Sequence, residues 1–566
     1  MPAQESMRQQ LRVAVAAAQR RAVEAGDLDV DAQALPDVTI ERPARPEHGD
    51  FASNAAMRLA PLARADPMDI AGRLTRHLEL PAGVLDTSVA RPGFINFTLD
   101  PVWVADQVRA ILDAGPAYGR VHARAGRVDA NADRDAGRTQ RINVEFISAN
   151  PTGPLHVGNG RGAFVGDALA SVLEATGNDV TREYYVNDYG SQIRDFGESV
   201  YLARTGQSGE AGYKGAYIGE LAAEIPSKVL SAPNPLERIG EYAWNRVLED
   251  IRRTVERLRI HIDVWKAESE LHRAGLVAES LRLLGDAGHT YEADGALWFR
   301  ATAFGDDKDR VLVRSNGEPT YFAADVAYLL DKLGRGFDRL VYILGPDHHG
   351  DVARLKGAAA ALGHDPAAVE IIIYQHVRLV RDGDEVSMSK RAGTFVTLDE
   401  LVDEVGADAT RFFFTARSAT QHLDFDLELA KRQSNENPVY YVQYAHARCS
   451  SILRQALARG VSVDAHGLSA DDRDAALLTH PAEQTLIKSL LELPEVIAEA
   501  AARRETHELP RYCQDLASHF SQFYRDCQVL SDDAALTGAR LRVVHATRQV
   551  LANALELLAI GAPDQM

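Results

Sequence analysis

Two stretches of this chain hold residue types suited to handling anions. The first, ANPTGPLHVGN from Ala149 to Asn159, leaves a strand-like segment through two prolines and two glycines, carries His156, and runs into a segment with helical apolar spacing. A helix N-terminus with unpaired backbone N–H groups favours anions, phosphate above all. Gly158 and Gly160 are expected to let a ligand approach the backbone closely, and His156 can donate a hydrogen bond to a phosphate oxygen. The second stretch, RDGDEVSMSKRAGTFVTL, sets small hydroxyl residues beside two cations in Ser387-Met388-Ser389-Lys390-Arg391. It follows strand-like residues and is expected at the carboxyl edge of the same sheet, where open α/β sheets gather their ligands. A nucleotide suits both loops. No nucleophile with an adjacent base is evident, so the chemistry expected is positioning and charge stabilisation rather than covalent catalysis.

A second set of residues is acidic. In TYFAADVAY, Tyr321 and Asp325 are four apart and share one face if the segment is helical. Glu145 lies inside INVEFIS, which alternates Ile142, Val144 and Phe146 with polar residues as a strand does. A central parallel strand is normally apolar on both faces, so a carboxylate there wants a reason. Carboxylates are the best partners of a planar guanidinium. Asp347-His348-His349 follows another strand and could ligate a metal, and the same triplet occurs in metal-dependent phosphoesterases. That chemistry needs further Asp-rich motifs on neighbouring strand ends, and none is found, so no bound metal is expected.

These residues must be positioned by an α/β multidomain fold. INVEFIS, the helical GRGAFVGDALASVLEATGND and DVTREYYV make a βαβ unit, with Gly177 as a helix stop. RLVYILG, DVARLKGAAAALG and VEIIIYQHVRLV make a second, so a Rossmann-like parallel sheet split by an insertion is expected over residues 141–434, the insertion at about 190–310. Within the insertion GEYAWNRVLEDIRRTVERLRI reads as helix, and Asn316-Gly317 in DRVLVRSNGEPTYF as a hairpin turn. Residues 1–115 are expected to form an N-terminal α+β domain with helices over Gln4 to Ala25 and Pro67 to Leu80 and a strand in FINFTL, followed by a charged linker at 116–140. Residues 435–566 show long apolar-periodic runs and are expected to be an all-α helical bundle.

Composition bounds the setting. A chain of 566 residues, 46% hydrophobic and 25% charged, supports several domains. No run approaches the ~18 to 20 unbroken apolar residues of a membrane span, and the amphipathic N-terminus lacks the features of a signal peptide. Cys449, Cys513 and Cys527 form no C-x-x-C pair, which points to a reducing, cytoplasmic setting without a structural metal. The formal net charge of -19 argues globally against a polyanionic partner, although nucleic-acid binding depends on local basic surface. No heptad or exposed apolar stripe compels assembly, so a monomer is expected.

Taken together the motifs resemble a known family. His156-Val157-Gly158-Asn159 resembles the HIGH motif, and Ser387-Met388-Ser389-Lys390-Arg391 the KMSKS motif, of class I aminoacyl-tRNA synthetases. VEFISANPTGPLHVGNGRG, REYYVNDYG, PTYFAADVAY, LGPDHHGDVARLK and NENPVYYVQYAHAR are similar to arginyl-tRNA synthetases. Asn159 replaces the second histidine and Ser387 the first lysine of the two motifs, which puts more weight on Lys390. The resemblance implies ATP-dependent activation of L-arginine and transfer to the terminal adenosine of tRNA(Arg), with Mg2+ accompanying ATP. It implies catalytic roles for His156, Asn159 and Lys390, and ATP contacts from Pro151, Gly153, Gly158, Ser387, Met388, Ser389, Arg391 and His348. It places Glu145, Ser148, Asn150, Tyr321, Asp325 and Asp347 around the arginine, and tRNA contacts at Phe94, Asn96, Tyr440, Tyr444 and Arg448. A pocket built of carboxylates would reject neutral amino acids without editing. A cysteinyl-type enzyme is disfavoured by the absence of clustered cysteines. A non-catalytic tRNA-binding paralogue or a phosphoesterase are the remaining alternatives.

Overall fold

The computed structural model describes residues 6–43, 45–120, 139–207, 209, 212–386, 396–461 and 475–566. The N-terminal part opens with the helix Met7–Glu24, whose Met7, Leu11, Val15, Ala18 and Ala22 are buried at helical spacing and whose first turn is capped by Ser6. It packs with the helices Ala55–Ala63 and Pro67–Arg76 on an antiparallel sheet of β1 (Ile40–Glu41), β2 (Phe51–Ser53), β3 (Val84–Ala90) and β4 (Phe94–Leu99), in the order β1-β2-β4-β3. In β4, Ile95, Phe97 and Leu99 point into the core, which leaves Phe94, Asn96 and Thr98 on the other face. The helices Ala55–Ala63 and Pro101–Ala114 had no counterpart in the sequence reading.

The central sheet is fully parallel. It comprises β5 (Arg141–Glu145), β6 (Asp179–Val186), β7 (Val264–Ala267), then, after the antiparallel strands β8 (Thr290–Ala293), β9 (Ala296–Phe299) and β10 (Arg310–Val313), β11 (Arg339–Leu344) and β12 (Val369–Ile373), in the order β12-β11-β5-β6-β7. Residues alternate between two cores. Ile142, Val144, Val341 and Ile343 face the helix Val157–Ala175, whereas Leu340 and Tyr342 face the helices Leu276–Asp286, Tyr321–Gly334 and Asp351–Ala361. Because Tyr342 pairs with Glu145, and Glu145 with Glu183, those two carboxylates share the face under the helix Tyr321–Gly334.

Two expectations are corrected. The insertion is not one excursion, because β7 returns from within it to pair with β6 as the sheet's edge. VEIIIYQHVRLV is not one strand, since β12 ends at Ile373 and β13 (Val377–Arg381) joins a separate sheet with β14 (Asp384–Glu385) and β15 (Leu423–Asp426). The segment Ser387-Met388-Ser389-Lys390-Arg391 therefore follows a strand of this small sheet rather than the parallel one, and it lies outside the described residues. Most of the expected linker, residues 121–138, lies outside them too.

The C-terminal part is all-α, with helices Pro438–Ala458, Pro481–Leu490, Leu493–Arg503, Glu508–Asp526 and Ala534–Leu557. The N-terminal part docks directly on it. Arg42 reaches Glu492 and Glu495 at 3.3 and 3.2 Å, Arg8 pairs with Glu495 at 3.2 Å and with Glu499, and Lys488 pairs with Asp50 at 2.5 Å. Asn553 donates to the carbonyls of Gly115 and Tyr118 at 2.9 and 3.0 Å. Among the described residues no helix is long and apolar enough to cross a membrane.

Candidate active site at the carboxyl end of the sheet

The turn after β5 is tightly wound. Ile147 and Ser148 both adopt positive φ, 69° and 40°, and Ser148 N–H bonds back to the Phe146 carbonyl at 3.0 Å, a geometry that non-glycine residues hold only where their surroundings enforce it. Ser148 Oγ enforces it by accepting from Tyr185 N–H at 3.1 Å and donating to Glu145 Oε1 at 3.0 Å. Asn150 donates to Gln192 at 2.6 Å, Pro151 is buried, and Tyr217 Oη donates to the Thr152 carbonyl at 3.0 Å, packing beside Gly153.

His156 is the N-cap of the helix Val157–Ala175. Its Nδ1 accepts from Gly158 N–H at 3.1 Å, and Asn159 Oδ1 accepts from His156 N–H at 3.2 Å. In a neutral imidazole, acceptance at Nδ1 puts the proton on Nε2, and the bonded Oδ1 of Asn159 likewise leaves its NH2 as the donor end. Both motif residues are thus oriented as donors. A Cβ on Gly158 would lie 2.9 Å from the His156 ring and one on Gly160 would lie 2.7 Å from Leu398, so protein side chains already require both positions to be small.

The second motif meets this turn through the residues that follow it. His156 and Thr397 form an isolated antiparallel bridge, in which Val157 N–H bonds to the Val396 carbonyl at 3.1 Å and Leu398 N–H to the Leu155 carbonyl at 2.9 Å. Lys390, Ser387, Met388, Ser389 and Arg391 lie outside the described residues, but the chain re-enters description at Val396 against the HVGN turn.

The acidic residues converge beneath the helix Tyr321–Gly334. Tyr321, Asp325, Tyr328 and Lys332 follow one another at spacings of four, three and four, which keeps them on one face. Tyr321 is 47% exposed, so core packing is not its role. Lys332 is buried and donates to Glu145 Oε2 at 2.6 Å, which supplies the reason for a carboxylate in a central strand. Tyr328 stacks on Tyr185 and donates to Glu183, which Arg335 clasps with two bonds of 2.7 and 2.8 Å.

Asp325, by contrast, forms no hydrogen bond or ion pair with any described residue. Burial first, and then the charges of Asp351, Glu268 and Glu145, push its carboxyl up to about 7 against the smaller opposing pull of Arg354. Glu268, buried just beyond β7, is also pushed up to about 7, by burial and by Asp188. Its nearest cationic candidate, His272 Nε2, is 3.6 Å away, and burial lowers the pKa of that imidazole. The site therefore holds more negative charge than its own cations neutralise, and a ligand with a fixed positive charge would relieve it.

Asp347 and His348 are exposed beyond β11. His348 Nδ1 sits 2.7 Å from Asp351, which raises its pKa. Asp351 also pairs with Arg354 at 2.9 Å. Among the described residues, the group of three or more His, Cys, Asp or Glu that converges as metal ligands would is Glu505, His507 and Glu508 in the C-terminal bundle, not this triplet.

The residues expected to meet RNA lie elsewhere. Asn96 is buried at the centre of the N-terminal sheet, paired with Ala52 and Ser88, and Phe94 is half-buried on the same outer face. On the helix Pro438–Ala458, Tyr440 and Tyr444 stack at 6.2 Å, and Arg448 lies over both Tyr444 and Tyr524 at 4.7 Å. Tyr441 turns inward and bonds to Ser521 at 3.1 Å.

Lys332, Glu268, Tyr185 and Thr397 were not singled out from the sequence. Lys332 was within reach, since the spacing that linked Tyr321 to Asp325 continues to it. Glu268 had no such signal, because it follows a short edge strand inside the expected insertion.

Comparison with known proteins places this arrangement. Three sequence families match in chain order: arginyl tRNA synthetase N terminal domain over 5–99, tRNA synthetases class I (R), catalytic domain over 126–212 and 228–421, and DALR anticodon binding domain over 442–566. The chain is 48% identical over 564 residues to an arginine–tRNA ligase of Moorella thermoacetica, covering 97% of each, and 45% identical over 574 residues to that of Heliobacterium modesticaldum, covering 99% of each. The arginyl-tRNA synthetase structure of Thermus thermophilus superposes with a TM-score of 0.77 over 99% of this chain and 100% of that one, at 24% identity, a likeness of fold.

Proposed function

This chain belongs to the arginyl-tRNA synthetase family, and we propose from that membership that it is a working arginine–tRNA ligase. It activates L-arginine with MgATP to arginyl-adenylate and transfers the arginyl group to the 3′-terminal adenosine of tRNA(Arg), releasing pyrophosphate and then AMP. The observation that carries this reading is Asp325, a carboxylate with no direct ion pair to a described residue, set among other carboxylates, whose nearby cation Arg354 is engaged by Asp351. A guanidinium offers it a bidentate partner of fixed charge. Tyr321, four residues earlier on the same face, rims the pocket, and Glu145, Ser148, Asn150 and Asp347 surround the rest of the substrate.

In the activation step the substrate carboxylate attacks the α-phosphorus in line, and charge gathers on the phosphate oxygens and the leaving pyrophosphate. His156 Nε2 and the Asn159 amide donate to those oxygens from the head of the helix Val157–Ala175, whose N-terminal dipole adds to the same effect. Pro151, Gly153, Gly158 and His348 line the nucleotide. Lys390, with Ser387, Met388, Ser389 and Arg391, supplies the cationic loop for the phosphates, a role supported by the resemblance of that segment to the KMSKS motif and by the bridge tying Thr397, shortly after it, to His156.

The division of labour follows the chain. Residues 1–115 contact tRNA through Phe94 and Asn96, residues 141–434 catalyse, and residues 435–566 hold the anticodon stem and loop with Tyr440, Tyr444 and Arg448. The protein works as a monomer in the cytoplasm, a setting supported by the three buried free thiols. The reading is tested by arginine-dependent ATP–pyrophosphate exchange with and without tRNA. Exchange with arginine and not with lysine, glutamine or cysteine is the expected result, and tight tRNA binding without exchange for any amino acid would overturn it.

A further inference from the structure

The mechanism above gives no role to Lys332, a buried cation in close contact with Glu145 and two tyrosine rings. The side chain is fully buried. Its Nζ lies 2.6 Å from Glu145 Oε2 and 4.5 and 3.9 Å from the ring centres of Tyr328 and Tyr342, so one N–H is bonded and the ammonium is otherwise walled by aromatic faces. The nearby Glu183 is already satisfied by Arg335, Tyr328 and Asn143. Lys332 also steadies the Glu183 carboxylate through space, but its direct bond goes to Glu145. The other oxygen of Glu145 accepts from Ser148, which anchors the strained turn leading to Asn150 and the HVGN segment. A buried ion pair is a poor stabiliser, since well-packed apolar residues of the same volume often do as well. Its value here lies in orientation.

We propose that Lys332 is a positioning residue for arginine binding: it locks Glu145 and Ser148 into one arrangement in which their oxygens stand as fixed acceptors beside Asp325. This rests on the proposed function and adds to it a residue that touches no substrate. Without Lys332 the Glu145 carboxylate would be free to turn toward solvent or toward Tyr185, and the turn at Ile147 and Ser148 would keep its bond from Tyr185 N–H but lose its fixed partner at Glu145.

The test uses the full-length protein, tRNA(Arg) and two variants, Lys332→Met, which keeps length and packing, and Lys332→Gln, which keeps a donor. Both are checked for folding by circular dichroism and melting, and KM is measured separately for arginine and ATP in the aminoacylation reaction. The expected result for Lys332→Met is a rise of about tenfold or more in the arginine KM with the ATP KM within about twofold, and for Lys332→Gln an intermediate arginine KM. A folded Lys332→Met with the wild-type arginine KM, or with both KM values raised in the same proportion, overturns the proposal. Failure of both variants to fold assigns the pair to folding alone and overturns it as well. Wild-type protein that charges no arginine sinks the functional reading first, and is distinguished from the other outcomes because it is seen before any variant is made.

Discussion

His156 and Thr397 face each other across a two-residue antiparallel bridge, so the head of the catalytic helix and the end of the segment carrying Lys390 are held together by backbone hydrogen bonds. Thr397 is also the N-cap of the helix Leu398–Val405, in a reciprocal capping box with Glu400. Thr397→Ala removes the cap and is expected to cost about 0.5–2 kcal/mol of stability. Because the bridge is backbone, the ATP KM should rise by only a few-fold and the arginine KM should stay put, as steady-state kinetics with each substrate varied would show.

Asp325→Asn removes the carboxylate proposed to hold the guanidinium. Losing one side of such a charged pair should lower kcat/KM for arginine about 100-fold or more. The same change should not destabilise the fold. The Asp325 pKa of about 7 lies above its ordinary 3.8, so ionisation opposes folding at high pH. The variant should therefore melt higher than wild type at pH 8 and lose that advantage below pH 4, and a melting series across pH checks it.

Arginine binding should be linked to protons. Asp325 and Glu268 each titrate near 7 in the free site, pushed there by burial and by neighbouring carboxylates. The guanidinium needs the ionised form, so affinity should be full above pH 8 and fall as pH drops below 7, approaching about tenfold per pH unit for each proton that must leave. Titration calorimetry in buffers of different ionisation enthalpy would count those protons.

Gly166→Ala would normally favour a helix interior by about 0.8–1 kcal/mol. Here the new Cβ would sit 2.3 Å from Phe146 Cγ, in a side chain that is itself fully buried. Overpacking should win and destabilise the protein by about 1–3 kcal/mol, measured by urea unfolding.

On the C-terminal helix, Tyr444→Ala breaks the stack of Tyr440, Tyr444 and Arg448. If an anticodon base stacks there, the variant should weaken tRNA binding by about 1–3 kcal/mol and leave amino-acid activation at saturating tRNA unchanged. A filter-binding isotherm beside exchange kinetics separates the two.

Much of this was legible in the sequence because it is written locally. The strand, turn and helix around His156 are announced by alternation, then glycine and proline, then helical spacing, and β5, β6 and the helix Val157–Ala175 lie where those signals put them. What failed to show was decided at a distance. β12 and β13 read as one apolar run because nothing in the run tells that Tyr374 bonds back to Leu344 while Gln375 bonds across to Ala419. Gly160 looked like a ligand approach because Leu398 and Phe414, which fill the space beside it, come from much later in the chain. Arg411, buried and bonded at once to Asp167, to the Leu258 carbonyl and to the Leu558 carbonyl, was invisible for the same reason. Glu145 showed itself as an anomaly, and its explanation waited on Lys332.

The docking of the N-terminal part on the C-terminal bundle makes the order of the chain different from the order of its mechanical attachments. Arg8, Arg42, Asp50 and Tyr118 all grip residues more than 370 positions downstream. Cutting the backbone between residues 120 and 139 would then leave two pieces still fastened to each other, and a fragment ending at residue 120, expressed beside the remainder, would be retained by it without a peptide bond.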